Sequence, residues 1–314
     1  MIISIIILTY NQEKWIEQAI ESILNQRTNY KYEIIIGEDL GTDNTRNICK
    51  RYVDKYDNIF LAEQYKNLGV VGNFINCLKQ CSGKYVMLCA GDDYWHNPDK
   101  LQLQVDYMES HPNCVICHTD INLLNEHRGN IIQEYNKNNN ITPPEGKIQK
   151  DIIAGKEFIR AVTMCIRKDT LISHCDFDKW VELGFPREDW PMLFILSAYG
   201  DINYIPIPTA TYRVGQESIT NTLSYDKIKK RYQKDKIMTE YLYTLFPDLG
   251  GFKDGWWYDT HVYHSLLVAA YHNNDYKSAK EFAKKDPTKS LSKKCASNRL
   301  SFQLFRIYDK YMKN

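Results

Sequence analysis

The chain has 314 residues, enough for one large domain or two moderate ones, and its 40 Lys and Arg nearly balance its 39 Asp and Glu. A net charge of +1 gives no long-range field of the kind that draws nucleic acid or an anionic membrane, so partners have to be read from local sites and no nucleic acid is expected. The nine cysteines show no regular spacing, and Cys77, Cys81, Cys89, Cys117 and Cys165 lie in apolar runs where a reduced thiol packs like a small hydrophobe, which argues for a reducing, cytoplasmic setting over a disulfide framework.

The N-terminal MIISIIILTYN lacks the basic leader and small-residue cleavage site of a signal peptide. Ile2 to Leu8 is instead a continuous β-branched run, the pattern of a strand covered on both faces in a parallel sheet. Trp15, Ile16, Ala19, Ile20, Ile23 and Leu24 then recur at helical spacing. Tyr32 to Ile36 is a second strand. Ile48, Cys49, Tyr52, Val53 and Tyr56 mark a second helix, with Thr42 and Asp43 as its expected caps. The unit repeats with Ile59 to Ala62, then Phe74 to Cys81, then Tyr85 to Cys89. This alternation predicts a mostly parallel, Rossmann-like α/β sheet with helices on both faces.

Beyond Asp93 the pattern predicts a helix near Pro98 to Ser110, a strand at Cys114 to Thr119, and a polar loop or flap from Asn125 to Lys150. Ala161 to Ile166 and Ile202 to Ile205 read as strands, with a helix between them starting near Glu188. From Ser224 onward only helical patterns occur, and Trp257 to Tyr271 with Tyr276 to Lys284 form one hairpin about Asn273-Asn274; one copy is not a repeat. The expected organisation is a catalytic domain over 1–223 and a helical subdomain over 224–314, packed on the catalytic one through aromatic stripes, with a membrane-facing or acceptor-facing surface as the competing reading of those stripes. No apolar stretch approaches the roughly 20 residues needed to cross a bilayer, so membrane contact is expected to be peripheral at most.

Ligands of open parallel sheets bind outside the carboxyl ends of the strands. Here those ends carry Thr9-Tyr10-Asn11, Glu38-Asp39 and Gly91-Asp92-Asp93. Neither GxGxxG after the first strand nor GxxxxGK[ST] occurs, so a diphosphate must be neutralised by other means. Asp92-Asp93 suits a hard divalent cation that bridges phosphate oxygens. The same pair before Asn-Pro also suits a turn, and Asn11 suits a helix cap.

In order, SIIILTYNQEKWIEQAIESILNQ, YEIIIGEDLGTDNT, NLGVVGN and SGKYVMLCAGDDYWHNPDKLQLQVDYM resemble the family 2 glycosyltransferases of the A-type fold, over roughly residues 2 to 215. The resemblance implies an inverting, metal-dependent transferase that moves sugar from a nucleoside-diphosphate sugar, by family a UDP-sugar, to an acceptor hydroxyl. It implies that Thr9, Tyr10, Asn11, Glu38 and Asp39 hold uracil and ribose, with Asp92 near the ribose. Asp93 would sit on Mn²⁺ or Mg²⁺ at the diphosphate. Glu188-Asp189-Trp190 looks like the family's base motif, with Asp189 the catalytic base, and Tyr212-Arg213 like its closing motif, with Arg213 at the donor.

Three positions depart from the family pattern. Glu38-Asp39 replaces Asp-Asp, Gly41 replaces a common serine, and Val214-Gly215 stands where a metal-binding histidine often lies, leaving Gln216, Glu217 or water as the remaining ligand. By resemblance the acceptor is a glycan or lipid-linked glycan in polysaccharide or surface-glycan assembly at the cytoplasmic face. A nucleotidyltransferase and a catalytically inactive sugar-binding relative are the alternatives.

Overall fold

The computed structural model describes residues 3–153, 159–215, 222–249 and 256–312, with the main chain alone at 153, 256–260 and 309–312. Two compact units emerge: one takes 1–125, 129–182 and 187–214, the other 126–128, 183–186 and 215–314.

The first half of the first unit is β1 (Ile3–Thr9), α1 (Ile16–Leu24), β2 (Tyr32–Glu38), α2 (Thr45–Lys55), β3 (Ile59–Leu61), α3 (Gly69–Leu78) and β4 (Tyr85–Ala90). These strands are parallel in the order β3-β2-β1-β4. Neighbouring residues on a strand face opposite ways, yet Ile5, Ile6 and Ile7 are all fully buried, as are Val86 and Met87, so both faces of the sheet are covered. On α1, Ile16, Ala19, Ile20 and Ile23 form the single buried stripe that the sequence spacing predicts.

The second half departs from simple alternation. It runs α4 (Lys100–Ser110), β5 (Cys114–Asn125), β6 (Asn130–Ile132), α5 (Tyr135–Asn138), α6 (Gln149–Ile153), a 3₁₀ turn (Ala161–Thr163), β7 (Cys165–Arg167), α7 (Lys168–His174), α8 (Phe177–Leu183), α9 (Asp189–Tyr199) and β8 (Asp201–Val214). β7 is antiparallel to both β4 and β5, β6 is antiparallel to β5, and β8 runs parallel beside β5. The sheet is therefore mixed, with its parallel part intact.

Several local expectations need correction. Residues 125–150 do not form one loop: they give β6 and two short helices, and buried Asp120 anchors α5 by accepting from the Asn136 amide at 3.0 Å. Ala161 to Ile166 is not one strand, because residues 161–163 close a 3₁₀ turn before β7. Thr42 does not cap α2, and the residue at the N-cap position, Asn44, makes no cap bond; Asp43 takes up the first helical amide instead, accepting from Thr45 N at 3.0 Å and also from Glu13 N at 3.0 Å. All nine cysteines are free and eight are buried, as apolar packing requires.

The second unit contains α10 (Tyr225–Leu245), a 3₁₀ turn (Pro247–Leu249), α11 (Trp256–His272), α12 (Tyr276–Lys285), α13 (Leu291–Cys295) and α14 (Arg299–Met312). No strand occurs among its described residues. The hairpin about Asn273-Asn274 forms, with Asn274 at φ 55° and Asp275 capping α12 through Ser278 N at 3.0 Å. This unit has its own core, in which Tyr271 stacks on Phe302 with ring centroids 4.6 Å apart and donates to Ser292 O at 2.6 Å. Among the described residues no helix is long and apolar enough to cross a membrane.

Candidate active site

Strand register brings the three polar clusters together. Thr9 lies opposite Glu38 and Leu8 opposite Ala90, while Asp39 N donates to Thr9 O at 3.0 Å and Gly91 N to Leu8 O at 2.8 Å. The residues that leave β1, β2 and β4 thus start from one edge.

The two acidic positions after β2 are not free carboxylates. Glu38 is fully buried; its Oε1 accepts from Gly41 N at 2.6 Å and its Oε2 from Arg46 at 3.0 Å. Asp39 accepts from Leu68 N at 2.7 Å and Gly69 N at 2.8 Å, where it holds the start of α3. Burial lifts the Asp39 carboxyl above its usual range, against the pull of those two amides. Carboxylate oxygens have two lone pairs each, so this does not exhaust what either acid can accept.

Asn11 is no helix cap. At φ 53° its Oδ1 accepts from Thr42 N at 2.6 Å and Asp43 N at 3.4 Å, tying the loop after β1 to the loop after β2. Its neighbour Tyr10 is 47% exposed, presenting an aromatic ring at the rim. Thr9 Oγ1 and Gln12 Oε1 are buried without a partner, and both lie beside Gly91, where an added Cβ would come within 2.5 Å of each. Glycine at 91 therefore keeps open a space lined by two unsatisfied oxygens.

Asp92 is half-buried and Asp93 buried. β8 reaches this pair through the bridge between Tyr94 and Thr211. Arg213 N donates to Asp93 Oδ1 at 2.9 Å, its Nε to Asp92 O at 2.6 Å and its Nη2 to Gln18 at 2.7 Å. The guanidinium also lies 5.7 Å from the Tyr94 ring and 5.9 Å from that of Trp15. Burial, then the charge of Asp92, pushes the Asp93 carboxyl well up. An open cleft of about 300 Å³ continues past Gln18 and Tyr94, lined also by Glu21, Ser22, Asn25 and His96.

Asp189 opens α9, half-buried, with Oδ1 accepting from Trp190 N at 2.7 Å. Glu188 is the N-cap by position but makes no cap bond, and burial followed by the charge of Asp189 raises its pKa to about 8. Burial raises the Tyr212 phenol, and the charges of Asp93, Asp92 and Asp189 raise it further while Arg160 opposes them. Arg160 lies over the Tyr212 ring at 5.3 Å. No motif in the sequence singles out Arg160. Trp15 was legible only as part of the apolar stripe of α1, and nothing in the sequence singled out Gln12 or Gln18.

Among the described residues no group of three or more His, Cys, Asp or Glu is arranged to hold a metal ion. Gln216 and Glu217 lie outside the described residues, and Gly215 before them has φ 99°. Adjacent aspartates nevertheless fit Mg²⁺ or Mn²⁺ chemically, because such ions bind through one or two carboxylates plus substrate phosphates and water.

A parallel sheet edge carrying acidic pairs, closed by a mixed second half, is the architecture of A-type nucleotide-sugar glycosyltransferases. The mannosyltransferase PcManGT from Pyrobaculum calidifontis, in complex with GDP-Man and Mn²⁺, superposes with TM-score 0.55 at 13% identity, over 99% of this chain and 81% of that one. S. aureus TarS 1–349, in complex with UDP-GlcNAc, gives 0.53 at 20% identity, over 100% and 92%. Residues 4–174 match glycosyl transferase family 2, and the chain belongs to that family. An uncharacterized protein of Mycobacterium tuberculosis is 30% identical over 230 residues, 72% of this chain, and the match spans 62% of that relative's length.

Proposed function

We propose that the chain is an inverting glycosyltransferase that moves a sugar from a UDP-sugar to a glycan or lipid-linked glycan hydroxyl at the cytoplasmic face, in polysaccharide or surface-glycan assembly. Residues 1–223 are its catalytic domain and 224–314 a helical subdomain. The observation that carries this reading is the meeting of Thr9, Asp39, Asp92 and Asp93 at one sheet edge, with Arg213 fixed against the last two, in a family 2 chain.

Tyr10 offers a ring for the base to lie against, while Thr9, Asn11, Glu38, Asp39 and Asp92 supply oxygens around base and ribose. Glu38 and Asn11 act mainly by shaping the loops, since their carboxylate and amide oxygens already hold main-chain amides. Asp93, beside Asp92, would hold Mn²⁺ or Mg²⁺, whose charge would stabilise the departing diphosphate. Arg213 keeps the two aspartates in place through its own amide and guanidinium.

Asp189 takes the proton of the acceptor hydroxyl as its oxygen forms a bond to the anomeric carbon; the bond from that carbon to the diphosphate breaks, and the diphosphate leaves with the electron pair. Single displacement inverts the centre. Asp189→Asn is expected to cut turnover roughly 10²-fold or more while leaving donor affinity unchanged, because a base acts in the transition state. Single-turnover transfer and donor titration would measure both. Near-normal transfer by Asp189→Asn, or a dead Glu188→Gln beside it, would move the role.

A further inference from the structure

The net charge of +1 conceals a division along the chain. From Tyr276 to Asn314 there are eleven Lys and Arg against three Asp and Glu, a net +8, while the other residues carry 29 against 36. The same stretch holds an unpartnered apolar face. On α14, Phe302 and Phe305 are buried in the second unit's core, 0% and 6% exposed. Leu300, Leu304, Ile307 and Tyr308 are 73%, 60%, 56% and 47% exposed. Their spacing of i, i+4, i+7 and i+8 makes a second stripe, turned away from Phe302 and Phe305, and the same helical rotation puts Arg299 and Arg306 along its border. In α13, Leu291 is 56% exposed and Lys294 three residues on is exposed with it.

We propose that this face of α14, with the basic residues around it, seats on an anionic lipid bilayer, the helix lying in the interface plane with Leu300, Leu304 and Ile307 entering the headgroup boundary. A helix that only closes a core needs one apolar stripe; a second in water is unfavourable unless something covers it. Charge selects the occupant. A second copy docking through the same face would set like charge against like, whereas anionic headgroups complement it. Exposed leucines bordered by Lys and Arg are the composition of helices that lie on membranes. This surface is independent of the transferase reading, and its test requires no activity.

The test is flotation of the full chain with vesicles of phosphatidylcholine alone or mixed with phosphatidylglycerol, at low and high salt. Binding to the mixed vesicles is expected to be at least about tenfold tighter and to weaken with salt. Leu304→Asp with Ile307→Asp, and separately Lys294→Glu with Arg299→Glu, are each expected to lower it by roughly tenfold or more. Equal binding to both vesicle types, no binding, or undiminished binding by both variants would overturn the proposal. A solution dimer that Leu304→Asp dissolves would assign the face to a second copy instead.

Discussion

Glu188 and Asp189 are neighbours in sequence with opposite environments. Burial of Glu188, and then the charge of Asp189 beside it, favour its neutral form, while half-buried Asp189 accepts from Trp190 N at 2.7 Å. A glutamate whose folded pKa lies near 8 binds more protons folded than unfolded from its ordinary 4.5 upward. Stability from this group therefore falls as pH rises through that window and stays lower above it. Glu188→Gln is expected to remove the effect, leaving the variant more stable relative to wild type at pH 9 than at pH 4. Urea unfolding at the two values measures this, and parallel pH curves would contradict it. Residue identity was readable here from the Glu-Asp-Trp motif, but which acid is buried was not, since that depends on packing around the start of α9.

Elements explain why the site is where it is. The Ile-rich run of β1 and the Asp-Asp after β4 were legible because a parallel strand buried on both faces has a distinctive pattern. Less legible was the use made of the polar residues, because Asp39 reads as a ligand in sequence yet each of its oxygens also accepts an amide at the start of α3. Asp39→Ala is accordingly expected to cost about 1 kcal/mol of stability as a lost helix-start acceptor, besides weakening donor binding. Loss of donor affinity with no change in unfolding midpoint would show that the α3 contact contributes nothing. Gly91→Ala tests the neighbouring space. Its Cβ would meet Thr9 Oγ1 and Gln12 Oε1 at 2.5 Å, so donor-induced thermal stabilisation should drop sharply, and a wild-type shift would remove that space from the site. β6 and β7 were the least readable part, because such short antiparallel strands and the 3₁₀ turn before β7 carry little periodicity, and their pairing is set by distant partners such as β4 with β7.

The chain divides into a unit that carries Thr9, Asp39, Asp92, Asp93, Asp189 and Arg213 and a unit with its own aromatic core and basic end. A chain ending at Leu223 is therefore expected to keep a donor-induced thermal shift and to lose vesicle binding; loss of the shift would mean that the second unit is needed for donor binding. The central claim is the transfer reaction itself. Purified protein incubated with a panel of nucleotide-sugars, with and without Mn²⁺, should release free nucleoside diphosphate from a UDP-sugar only when the metal is present, and Asp93→Asn should abolish that dependence together with the release. Pyrophosphate in place of nucleoside diphosphate would indicate a nucleotidyltransferase, and no consumption of any donor would contradict the account.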